Sequence, residues 1–160
     1  DWHNDVLLET RPWGQLVQAR FENSITDCTQ LLEFWTSATR LCQLLRLAKY
    51  LDQGFQPLPV ELLAKYGVTA EQIKRREHNE ASTTLFSEAG EHLLEKANAA
   101  WRNMPADQRL VLRPLRALFR MRAAELKVHQ AAGYRLLTEQ KIITPFKKFS
   151  IAWTTQVLRR

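Results

Sequence analysis

Glycine and proline are scarce in this chain of 160 residues, which contains five of the first and six of the second. Both residue types interrupt regular helices, glycine through its backbone freedom and proline through its missing amide donor. Their scarcity, together with abundant leucine, alanine, glutamine, glutamate and arginine, favours helix over sheet. We therefore predict an all-α fold, in which residues 1–160 form a single helical domain.

Long apolar runs are also absent, because no stretch approaches the roughly 18 residues that a membrane-spanning helix needs. The start of the sequence does not have the pattern of a signal peptide. We expect a protein that is cytoplasmic or peripheral on a membrane.

Cysteine is equally rare, and Cys28 and Cys42 lie too far apart along one predicted helix to bridge each other. The histidines have no spacing with cysteine or acids that is typical of a zinc site, so we expect each to be exposed or half-buried. No Gly-rich loop offers a phosphate cradle. The four histidines are His3, His78, His92 and His129.

Acidic residues are few in the last third of the chain, although the whole chain has a net charge of only +6. Such a bias can serve phosphorylated ligands, anionic lipid, nucleic acid or solubility alone. Aromatic and basic residues are not interleaved as in a stacking platform, so nucleic acid is not expected as a partner. Asp107, Glu125 and Glu139 stand against Arg109, Arg113, Arg116, Arg120, Arg122, Lys127, Arg135, Lys141, Lys147, Lys148, Arg159 and Arg160.

Helical periodicity predicts one long helix from about residue 23 to residue 50, which the glycine and prolines of residues 54–59 end. Gly67 is placed to end a short helix that follows, and Thr69 with Gln72 forms a capping box that opens the next one. Pro114 is expected to kink a later helix. The predicted helices after residue 59 cover residues 60–66, 69–76, 82–103, 106–132 and 145–160.

The segment Thr39–Val68 carries the most specific motif in the sequence. Gly54, Leu58 and Pro59 match a Gly-Arg-x-Tyr-Leu-Pro turn, and residues 61–68 resemble the segment that follows this turn in the squalene/phytoene synthase family. Further segments resemble the same family in the same order. They are Ser87–Pro105, Gly133–Leu137 and Lys148–Ala152.

This resemblance covers residues 39–160 and leaves residues 1–38 poorly matched. It implies part of an isoprenoid-synthase fold, whose full-length members use Mg²⁺ to condense two prenyl diphosphates head to head. In the family, two aspartates four residues apart precede the turn. Here the pair falls at Leu47 and Leu51, or at Leu47 and Asp52 if one residue is deleted before Gly54, so that Asp52 is the remaining candidate metal ligand.

Asp1 and Asp5 have the same spacing of four and are further candidate ligands of a metal ion. Mg²⁺ prefers several oxygen ligands, and a single carboxylate holds it weakly. The sequence therefore argues against a complete magnesium site, although the resemblance implies the cofactor. We expect a catalytically degenerate member of the family.

Four arginines recur at helical spacing, which predicts a stripe along one side of a helix. Arginine binds oxyanions with two parallel hydrogen bonds, so the stripe could bind a prenyl diphosphate or an acidic partner. The alternative is a solvated outer face. The stripe consists of Arg109, Arg113, Arg116 and Arg120, and Arg46 beside the altered motif is a further candidate diphosphate ligand.

The last predicted helix has an apolar stripe of Phe146, Phe149, Trp153 and Val157, accompanied by Lys147 and Lys148. One interpretation is a helix that packs this stripe against the bundle. The other is a basic amphipathic helix that lies on an anionic membrane. Two hypotheses follow for the function: a degenerate enzyme of isoprenoid biosynthesis, or a non-enzymatic scaffold that binds a partner or a membrane surface through its basic last third. Homo- or hetero-oligomer formation stays open under both.

Overall fold

The computed structural model describes residues 29–157 of the chain. Within this part, the backbone forms helices and turns and no β-strand, which confirms the predicted all-α bundle there. No helix of this part is long and apolar enough to cross a membrane. The helices are α1 (Thr29–Leu45), α2 (Leu47–Asp52), α3 (Val60–Lys65), α4 (Ala70–Lys74), α5 (Glu80–Asn103), α6 (Ala106–Val111), α7 (Arg113–Ala131) and α8 (Pro145–Val157).

Three long helices form the core: α1 packs along α5, and α7 packs against both. Phe34 of α1 is 1% exposed, and its ring centroid lies 5.3 Å from those of Trp101 and Phe119. Tilted and edge-to-face rings at this separation attract each other. Gly90 lets α5 approach α7 closely, because a Cβ at this position would lie 2.9 Å from Leu126 Cδ1. The core is thus apolar and tightly packed.

The predicted long helix is interrupted at Arg46, which separates α1 from α2. The uninterrupted helix was therefore wrong. The amide of Ala48 donates to the carbonyl of Leu136, 3.1 Å away, and so leaves the regular hydrogen-bond ladder of α1. A distant segment of the chain thus ends α1, and no local residue does.

The short helices between α2 and α5 begin and end where local signals predict. Gly67 has φ +66°, and the amide of the next residue, Val68, donates to Leu63, so that the glycine occupies the left-handed position after α3. Thr69 and Gln72 form the predicted capping box of α4. α4 itself ends at Lys74, slightly before the predicted end.

Proline determines where α6 ends. The single helix predicted over residues 106–132 is two helices, α6 and α7, separated at Leu112. Pro114 lies in the first turn of α7, where its missing amide costs nothing. The same ring would clash with a carbonyl of a continuous helix, so the predicted kink becomes a break.

The chain after α7 returns along the bundle and ends in α8. Leu136 and Leu137 of this connection are fully buried, and the hydroxyl of Thr144 accepts the amide of Lys147 at the start of α8, as predicted. α8 packs mainly against α7. α8 is therefore attached to the outside of the bundle.

Candidate functional site

The outer face of α8 exposes four apolar side chains, three of them aromatic. Phe146 is 81% exposed, Phe149 65%, Trp153 60% and Val157 54%. Phe149 and Trp153 stack on each other at 6.2 Å, while water still reaches both rings. We call these four residues the aromatic face of α8. The interpretation that they pack against the bundle is wrong, because the opposite side of α8 makes the contact with α7.

Polar groups attach that opposite side of α8 to α7. Thr155 is buried, and its Oγ1 accepts a hydrogen bond of 2.7 Å from Arg120 Nη1. Arg113 Nη1 donates to the carbonyl of Gln156 over 3.3 Å. A cation near a helix C-terminus interacts favourably with its carbonyls and dipole. These bonds fix which side of α8 faces outward.

Positive charge lies in the first turn of α8, where Lys148 is on the same side of the helix as Thr155, seven residues later. Lys147 is exposed and Lys148 is half-buried in the first two turns of α8, and the described part of this helix contains no acidic residue. A helix with an exposed apolar face, two lysines and no carboxylate in its described part has the composition of a basic amphipathic helix.

The predicted arginine stripe is divided by the fold. Arg109 belongs to α6, whereas Arg113, Arg116 and Arg120 belong to α7. Arg116 is half-buried between the rings of Trp101 and Phe119, which lie 5.3 and 5.4 Å from its guanidinium carbon. The solvated-face interpretation is therefore wrong for Arg116.

Burial of Arg116 is also the main reason why its pKa is lowered, to about 10, and the nearby charges of Arg120 and Arg102 lower it further. Its Nη1 is buried and has no hydrogen-bond partner among the described residues. Sequence reasoning missed Arg102, which comes from α5 and shares no helical stripe with the others. The charge of Arg102 thus acts on Arg116 together with that of Arg120, which lies about one turn further along α7.

Arg46, the other predicted diphosphate ligand, lies between two helices. It occupies the turn between α1 and α2, and its amide donates to Cys42 and Gln43 at 3.1 and 3.2 Å. Its Nε is buried and lacks a hydrogen-bond partner within residues 29–157. Nothing in its described surroundings joins Arg46 to the arginines of α7. Cys42 is a free thiol, and Cys28 lies outside the described residues.

Asp52, the remaining candidate metal ligand, is the last residue of α2 and forms an ion pair with Arg76. Arg76 has φ +59°, a left-handed conformation that costs a non-glycine residue about 1 kcal/mol or more. Its position after α4 would suit glycine, but glycine could not reach Asp52. The Asp52 carboxylate is therefore already engaged by a guanidinium.

A metal site is not assembled around Asp52 by its neighbours. Among residues 29–157, no group of three or more histidine, cysteine, aspartate or glutamate side chains is placed to hold a metal ion. A single carboxylate that already pairs with arginine does not fit the oxygen-rich shell that Mg²⁺ requires. Asp1 and Asp5 lie outside the described residues.

Of the three histidines within residues 29–157, His129 is the one for which the expected exposure was wrong, since it is 0% exposed. Its Nε2 accepts the amide of Lys141 over 3.2 Å, so the proton of the neutral ring lies on Nδ1. Burial is the main cause that lowers the pKa of His129, and the charge of Lys141 adds to it. The connection to α8 is thereby fastened to α7 through a neutral imidazole.

Glu125 lies one turn before His129 and is also buried, in an ion pair with Arg122. Its Oε1 and the Nδ1 of His129 both lack a hydrogen-bond partner among the described residues. In the sequence, Glu125 and His129 are linked by their spacing of four, which places them on one side of a helix. This spacing does not predict that they are buried.

Compared with known protein families and with curated proteins, the chain gives no match. The resemblance to the squalene/phytoene synthase family therefore remains a prediction.

Proposed function

We propose that this protein is a helical scaffold that binds anionic membrane surfaces through the aromatic face of α8. The observation that carries the proposal is the exposure of Phe146, Phe149 and Trp153, each of which is at least 60% accessible to water. A row of exposed apolar side chains is unfavourable in water unless a partner covers it. A membrane interface accommodates phenylalanine and tryptophan at the level of its head groups.

The attachment of α8 supports this orientation. Because Thr155 and Gln156 bond to arginines of α7, the side of α8 that carries them faces the bundle. The aromatic face is therefore presented outward on a rigid support. A rigid support lowers the entropic cost of binding, since the helix does not have to form on the membrane.

Charge selects an anionic membrane over a neutral one. A basic residue near a surface of acidic lipids contributes about 1 kcal/mol to binding. Lys147 and Lys148 lie in the described part of α8, and no acidic side chain of that part opposes them. Binding should weaken as salt is added, because salt screens exposed charges.

The direct test is sedimentation with two kinds of vesicle. One contains phosphatidylcholine alone, and the other also contains phosphatidylserine as about one third of its lipid. We expect binding to the phosphatidylserine vesicles alone. Reversing both charges in Lys147→Glu/Lys148→Glu should weaken this binding at least about tenfold. The matched control is Lys49→Glu/Lys74→Glu, which makes the same charge change on α2 and α4.

The apolar contribution has its own matched pair. Phe149→Ala should weaken vesicle binding, whereas Phe55→Ala should not, although Phe55 is 55% exposed and lies in the turn after α2. The proposal would be overturned if the wild-type chain did not sediment with phosphatidylserine vesicles. A wild-type dimer that Phe149→Ala converts to a monomer in sedimentation velocity would also overturn it, because the face would then bind a second copy.

A second proposal follows from the resemblance to the squalene/phytoene synthase family, namely prenyl diphosphate binding with little or no condensation activity. Two of the resembling segments touch, since the amide of Ala48 donates to the carbonyl of Leu136. The assay is Mg²⁺-dependent release of pyrophosphate from farnesyl or geranylgeranyl diphosphate. We expect no turnover. Robust turnover that Asp52→Ala abolishes would contradict a degenerate site.

A further inference from the structure

Ser150 lies on the same side of α8 as the aromatic face. It follows Phe146 by four residues and precedes Trp153 by three and Val157 by seven, spacings that place side chains on one side of a helix. Ser150 is exposed to water, as are these apolar side chains. The surface that we propose to enter a membrane therefore carries a hydroxyl group among its apolar side chains.

Two lysines stand shortly before this serine in the chain. Lys147 and Lys148 precede Ser150 by three and two residues. Protein kinases distinguish their targets partly by charge patterns, and an acidic substrate groove selects basic residues before the serine. The described part of α8 contains no acidic residue that would oppose such recognition.

The other serines of the described residues lack this combination. Ser37 and Ser82 are buried, and Ser87 is half-buried. None of the three follows a lysine or an arginine within three residues. Within residues 29–157, exposure and a preceding basic pair thus coincide at Ser150.

The place of Ser150 in α8 also favours access by an enzyme. The hydrogen bonds from α8 to the arginines of α7 involve Thr155 and Gln156, near the other end of the helix. The turns around Ser150 can therefore open without breaking these bonds. Local opening of this kind needs less free energy than unfolding of the whole chain.

We propose that Ser150 is a phosphorylation site that controls the binding of the aromatic face to anionic membranes. A kinase transfers the γ-phosphoryl group of a nucleoside triphosphate to the hydroxyl oxygen of Ser150. The nucleoside diphosphate leaves, and the hydroxyl proton passes to a base of the kinase. The consequence for membranes rests on the proposed function, whereas the modification itself can be measured without vesicles.

The physical reason is the charge of the modified side chain. A phosphoserine carries a charge of about −1.5 to −2 at pH 7. It would offset the positive charges of Lys147 and Lys148, of which Lys147 lies within reach at three residues on the helix surface. The phosphate would also have to lose its water to enter an apolar interface, and anionic lipids would repel it. All these effects oppose membrane binding.

The first arm of the experiment measures the modification without membranes. The full chain is incubated with magnesium ATP and the catalytic subunit of cyclic-AMP-dependent protein kinase, and tandem mass spectrometry locates the phosphate. We expect phosphate on Ser150, none there in Ser150→Ala, and unchanged labelling in the matched control Ser87→Ala. Lys147→Gln/Lys148→Gln should slow the labelling about tenfold, because it removes the charges that the kinase selects.

The second arm measures membrane binding of the modified chain. Phosphorylated chain should bind phosphatidylserine vesicles at least about tenfold more weakly than unmodified chain, and phosphatase treatment should restore binding. Ser150→Glu should weaken binding as well, whereas the matched control Ser150→Gln, which is neutral and of the same shape, should retain most of it. Unchanged far-ultraviolet circular dichroism would show that the charge acts without unfolding α8.

The proposal is overturned if the kinase leaves Ser150 unmodified. It is also overturned if phosphorylated and unmodified chains bind the vesicles equally, a result that leaves the proposed membrane binding intact. If the unmodified chain does not bind the vesicles, the proposed function fails, and control of membrane binding by Ser150 fails with it. The unmodified sample therefore distinguishes the failure of the function from the failure of the switch.

Discussion

Phenylalanine and tryptophan occur both in the core of α1, α5 and α7 and on the outer face of α8. They are buried in the core and exposed to water on α8. Phe34 is 1% exposed between two other rings, whereas Phe146 is 81% exposed on α8. Both lie on apolar stripes of helical spacing. The comparison shows that periodicity identifies the apolar side of a helix, but that the neighbouring helices decide whether water reaches it.

The largest expected effect is the difference in unfolding free energy lost when a phenylalanine is removed from the core or from α8. Phe34→Ala should lower the free energy of unfolding by about 3–5 kcal/mol, because it leaves a cavity in a packed core. Phe149→Ala, the same change on α8, should alter it by less than about 0.5 kcal/mol. Urea denaturation measures both. An equal loss at Phe149 would break the comparison, since that face would then be covered in solution.

A second prediction concerns the connection between the two regions, which His129 fastens to the core. The pKa of His129 is lowered in the folded chain, mainly by burial, so the unfolded chain takes up the proton more readily. The stability that this difference contributes is complete above the ordinary pKa of about 6.5 and is lost as pH falls below it. Protonation would also remove the acceptor for the Lys141 amide.

We therefore expect the free energy of unfolding to decrease between about pH 7 and pH 5, and His129→Gln to remove much of this decrease. Chemical denaturation at a series of pH values is the measurement. His92→Gln serves as the control, because His92 is an exposed histidine on α5. An unchanged pH dependence in His129→Gln would show that this imidazole does not control the connection.

The smallest expected effect concerns the polar attachment of α8. Thr155→Val removes the acceptor of Arg120 and should cost about 1 kcal/mol. Hydrogen exchange should show faster opening of α8 amides with little change in α5. Thr154→Val is the control, because the Thr154 hydroxyl bonds only to a carbonyl of its own helix. Equal acceleration in both helices would mean that α8 and the core open as one unit.

Local chemistry predicted most of the helices. The capping box of Thr69, the left-handed turn at Gly67 and the cap of α8 at Thr144 each depend on residues within a few positions of one another. The break at Arg46 could not be predicted in this way, since it follows from a hydrogen bond between Ala48 and Leu136. These two residues are far apart in the chain, so no local sequence pattern predicts that they are in contact.

The candidate sites were predicted in part. The apolar and basic residues of α8 were identified from their spacing, but the sequence left open whether they were buried. The four-arginine stripe was altered by the fold, because Pro114 separates Arg109 from the others and α5 brings in Arg102. Asp52 was identified as a lone acid, whereas its pairing with Arg76 required the return of the chain after α4.

The amino-acid sequence by itself determined that this chain forms helices, where most of them end, and that its last third is basic, because capping, proline geometry and charge are local properties. The tertiary structure alone decided which side of α8 stays in water, that Arg116 is half-buried against two aromatic rings, and that His129 is buried. These outcomes depend on contacts between residues that are far apart in the chain, and no local pattern records such contacts.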